Sequence, residues 1–115
     1  MGNIYAYGKL SQNPDTPVHE ILKGFAALIA KPESVDGLTN IFTFMENHSW
    51  WGSQMPPKYK LGALPCKLAS YDEALAALNS VAPVEKSPAP LLISPRAYLE
   101  RVQSTLNFMK AKYND

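Results

Sequence analysis

Ten prolines, most of them set between stretches of helical spacing, narrow the folds open to this chain more than any other feature. A proline lacks the backbone donor and clashes with the preceding turn, so it ends helices and is confined to sheet edges. Together with six glycines, the prolines cut the sequence into four stretches whose apolar residues return every three or four positions. That spacing predicts helices. Asp15-Thr16-Pro17 supplies a capping side chain followed by a proline at the first helical position, and Val18, Ile21, Leu22, Phe25, Leu28 and Ile29 then mark one face. Pro32 stops this run, which places a first helix over residues 17–30.

Pro32-Glu33-Ser34 opens the second stretch with an early carboxylate, and Val35, Leu38, Ile41, Phe42 and Met45 carry it to an end near His48. Ser70-Tyr71-Asp72-Glu73 has the capping-box spacing, in which serine and glutamate satisfy each other's orphan amides. It predicts a short helix over 71–81, with Ala74, Leu75 and Leu78 inward. Ser94-Pro95 repeats the cap-then-proline start, and Tyr98, Leu99, Val102, Leu106, Met109 and Tyr113 draw a long stripe over 95–112. Residues 1–12 fit a fifth, short helix, with a strand as the alternative. Residues 49–67 hold both tryptophans and three prolines, a mixture that favours a long loop. Residues 82–90 read as a linker of polyproline character. The fold expected is all-α: four main helices plus a short N-terminal one, around Leu22, Phe25, Leu38, Phe42, Met45, Leu75, Leu78, Leu99, Val102 and Leu106.

Composition limits the function classes. A chain of 115 residues, 46% hydrophobic, can bury about two thirds of its surface and needs no covalent staple. Eleven basic and ten acidic residues, scattered without a run, make no field that would recruit nucleic acid or an anionic membrane. No apolar stretch approaches the roughly 20 residues that cross a bilayer. A single cysteine, Cys66, forms no internal disulfide and suits a reducing compartment, so the expected location is cytoplasmic, with secretion as the alternative.

Glu46-Asn47-His48-Ser49-Trp50-Trp51 is the densest cluster of functional side chains. Indoles are flat apolar platforms with a polar edge, and an acid and an imidazole beside them could bond sugar hydroxyls or move a proton. The plainer reading outweighs it: Asn and His cap carbonyls at a helix end, and paired tryptophans seal a core edge or an interface. Tyr5 and Tyr7 add aromatic surface near the N-terminus. No acid pair persuades as the two carboxyls of glycoside hydrolysis, because Asp72 with Glu73 and Glu33 with Asp36 stand where capping explains them. His19 and His48, the only imidazoles, lack metal-ligand spacing, and Cys66 has neither a second cysteine nor a nearby histidine. No phosphate-binding glycine loop and no nucleophile elbow occurs. Catalytic residues, metal and cofactor are therefore expected to be none.

Asn3-Ile4-Tyr5-Ala6-Tyr7-Gly8-Lys9-Leu10, then Asn13-Pro14-Asp15 and Glu20-Ile21-Leu22, resembles a segment near the end of the catalytic barrel in alpha-glucuronidases and related large glycoside hydrolases. There, Asn-aromatic-Ala-aromatic-Gly-Arg-Leu-Ala-Trp-Asn-Pro-Asp leads into a C-terminal helical region. The resemblance covers residues 3–30 and departs from the pattern at Lys9, where arginine is usual, and at Ser11-Gln12, where a small residue and tryptophan are usual. It implies that residues 1–115 form one helical domain, an accessory piece of a larger enzyme whose catalytic acids lie elsewhere. It further implies packing on the barrel, self-association or closure of one side of a sugar cleft. The alternative from another class is a freestanding module that binds a protein partner through the Trp50-Trp51 loop. A small enzyme using Glu46 and His48 ranks third. Glu46, His48, Trp50, Trp51, Tyr5 and Tyr7 are the candidate binding residues, and the expected partners are protein, a second copy or carbohydrate.

Overall fold

A computed structural model describes residues 18–48, 66–87 and 93–113, and within them the chain is all-α, with four helices and no strand. The expected N-terminal helix and most of the Pro/Trp loop lie outside the described residues, as do Tyr5, Tyr7, Trp50 and Trp51. Helix α1 spans Val18–Ile29. Its buried side chains are Ile21, Phe25, Ala26 and Ile29, while His19, Glu20 and Lys23 face solvent. The repeat of four, one and three residues is that of a single helix face. Lys31, held extended by the proline after it, breaks the run, and Pro32–Ser34 makes one 3-10 turn that feeds α2, Val35–Asn47.

Helix α2 is the centre of the molecule. Leu38, Thr39, Ile41, Phe42, Thr43 and Phe44 are all buried, so packing covers more than one stripe of it, while Asp36, Gly37 and Glu46 stay exposed. Two threonines fit there because each hydroxyl is satisfied within the helix. Thr39 Oγ1 donates to the Val35 carbonyl at 2.7 Å, and Thr43 Oγ1 donates to the Thr39 carbonyl at 2.8 Å.

Helix α3, Tyr71–Leu78, starts at the predicted cap: the Glu73 amide donates to Ser70 Oγ at 3.1 Å. The returning carboxylate takes a different partner from the capping-box expectation. Glu73 Oε2 accepts from the amide of Ala69 at 2.7 Å, one residue before the serine. The helix also ends earlier than 81, because the last turn tightens: Ser80 and Val81 donate to the carbonyls three residues back, Ala77 and Leu78.

The start of the expected linker is docked on the bundle. Lys31 N–H donates to the Ala82 carbonyl and Val84 N–H to the Ile29 carbonyl, each at 2.8 Å, framing an antiparallel bridge between Ala30 and Pro83. Pro83 sits in the non-hydrogen-bonded pair, where its missing donor leaves nothing unsatisfied. Beside it, buried Ser34 Oγ accepts from the Ala82 amide at 2.9 Å, tying the start of α2 to this segment.

Helix α4, Pro95–Tyr113, is capped by Ser94 Oγ, which accepts from the Ala97 amide at 3.1 Å. Leu99, Val102, Leu106 and Met109 are its buried stripe, and Lys110 forms an ion pair with Asp72 of α3. Helix α1 packs on α2, α2 on α3, α3 on α4, and α4 returns to α1. The closed ring encloses one core, in which Phe44, Ile29, Leu38, Ile41 and Leu106 are the largest fully buried side chains. Each contributes about 1.5–3 kcal/mol from leaving water. Leu22, Met45 and Leu75, expected inside, are half-buried at its margin, whereas Phe44 and Tyr71 lie inside it. Among the described residues no helix is long and apolar enough to cross a membrane.

Candidate functional site

Of the candidate binding residues, Glu46 and His48 are described, both at the C-terminal end of α2. That end is closed by His48 through its backbone and its ring. The His48 amide donates to the carbonyls of Phe44 at 3.0 Å and Met45 at 3.3 Å, and Nδ1 lies 2.9 Å from the same Phe44 carbonyl oxygen. Imidazole thus adds a second bond to a carbonyl of the last turn, the helix-end role that the plainer reading of His48 expects.

The ring is also packed against two other rings. It stacks on Phe44 with centroids 4.1 Å apart and planes 24° apart. It meets Tyr71 edge-on at 5.6 Å, and Tyr71 in turn meets Phe44 edge-on at 5.1 Å. Spacing of four puts Phe44 and His48 on one face of α2, and the Ser70 cap places Tyr71 at the first position of α3, against that face. The result is a three-ring base joining two helices. Its outer member is half-buried His48 and its inner members are Phe44 and Tyr71, 0% and 2% exposed. Phe44 was legible from its spacing with His48. Tyr71 carried no such signal, because only tertiary packing brings α3 to the end of α2.

Glu46 is exposed. Side chains two positions apart leave a helix about 200° apart, so the acid and the imidazole do not face each other as a proton-transfer pair would. Three of the other acids considered have structural partners. Glu73 caps α3, Asp72 pairs with Lys110, and Asp36 lies 3.8 Å from Lys23 across α1 and α2. Cys66 is half-buried and its thiol donates to the Asn40 carbonyl at 3.4 Å, so it fastens the returning chain to α2. No group of three or more metal-ligating side chains converges among the described residues.

A second aromatic group, not anticipated from the sequence, joins α1, α2 and α4. Tyr98 meets Phe25 edge-on at 5.4 Å and Phe42 at 6.3 Å, and Phe25 lies 5.7 Å from Phe42. Burial pushes the Tyr98 hydroxyl above its ordinary 10.0, since the phenolate would lose its hydration there. On the outer face of α4, Phe108 is 63% exposed, with the Lys112 ammonium 5.7 Å from its ring centre. No protein-family model, curated protein or solved structure matches this chain.

Proposed function

We propose that this chain is a non-catalytic helical region of a carbohydrate-active enzyme, related to glycoside hydrolases, that acts in association or in closing one side of a sugar cleft. The observation that carries the reading is the three-ring base of Phe44, His48 and Tyr71. It holds the end of α2, the helix that Ser49-Trp50-Trp51 follows in sequence. Indoles with a neighbouring imidazole and carboxylate are suited to sugar faces and hydroxyls. The resemblance of residues 3–30 to the alpha-glucuronidase segment supplies the partner class. Glu46, His48, Trp50, Trp51, Tyr5 and Tyr7 are the contacts proposed.

Titration with xylan fragments and uronic acid sugars, followed by tryptophan fluorescence, tests this directly. A saturable change is expected, and an unchanged spectrum at millimolar sugar refutes the carbohydrate reading. The second reading is a freestanding protein-interaction module that binds through the Trp50-Trp51 loop. On that reading the combined Trp50→Ala, Trp51→Ala variant loses its protein partner. A folded double variant that keeps every interaction refutes it.

A further inference from the structure

We draw no further inference here: the strongest candidate, the exposed Phe108 ring with the Lys112 ammonium beside it on the outer face of α4, carries nothing, because nothing in the structure shows what covers that face.

Discussion

Replacing Phe44 probes the centre of the bundle and the base of the candidate site with one side chain. Phe44 is 0% exposed and carries two ring partners, His48 and Tyr71. Emptying such a position, Phe44→Ala, costs about 3–5 kcal/mol through lost burial and the cavity left behind. A chain of 115 residues has roughly 6–17 kcal/mol in total, at about 0.05–0.15 per residue, so the variant is expected to sit near the edge of folding. Phe44→Leu separates the contributions, because it restores most of the volume without the ring. Each aromatic pair is worth about 0.5–1.5 kcal/mol beyond its area, so two of them predict a loss of about 1–3 kcal/mol. Urea unfolding followed by far-ultraviolet circular dichroism measures both variants, with an unchanged denaturant slope as the check on two-state behaviour. A cycle with His48→Ala should show coupling of about 0.5–1.5 kcal/mol. If Phe44→Leu is as stable as the parent and the coupling is zero, the three-ring base does not hold the end of α2 and the anchoring argument fails.

Gly37 is exposed on α2 and a methyl group there meets nothing within 4 Å, so Gly37→Ala should raise stability by about 0.5–1 kcal/mol; a loss in the same urea assay would contradict its helical placement. Ser34→Ala removes the acceptor for the Ala82 amide and should cost about 1–2 kcal/mol, with faster hydrogen exchange at Ala82 as the local readout. Tyr98 gives a pH dependence of known sign. Its folded-state value lies above the unfolded 10.0, so its contribution is complete below that pH and is lost as pH rises through the folded value. Tyr98→Phe should therefore show a shallower alkaline loss of stability than the parent, and parallel curves would refute the burial assigned to the hydroxyl.

Much of this molecule is written locally. Pro32, Ser70 and Ser94-Pro95 announce where backbone donors run out, and the structure begins its 3-10 turn, α3 and α4 there. Stripes such as Leu99, Val102, Leu106 and Met109 follow from one residue's spacing to the next, and they are buried as expected. Capping and periodicity act within four residues, so a reader of the chain alone has every quantity needed.

Tertiary structure decided the rest because it joins residues with no local relation. Periodicity assigns α2 one apolar face, yet its packing on two sides buries Thr39 and Thr43 as well, and their hydroxyls turn inward to their own backbone. A proline-rich stretch reads as linker until Ala82 and Val84 find the carbonyl and amide groups at the end of α1. Glu46 and His48 are neighbours in sequence and point apart in space, while Tyr71, 23 positions after His48, touches its ring. Four helices and the caps that start them belong to the sequence by itself; where α3 stops, which side chains lie at the centre, and which rings meet there belong to the folded chain, because burial is a property of the neighbours a residue acquires.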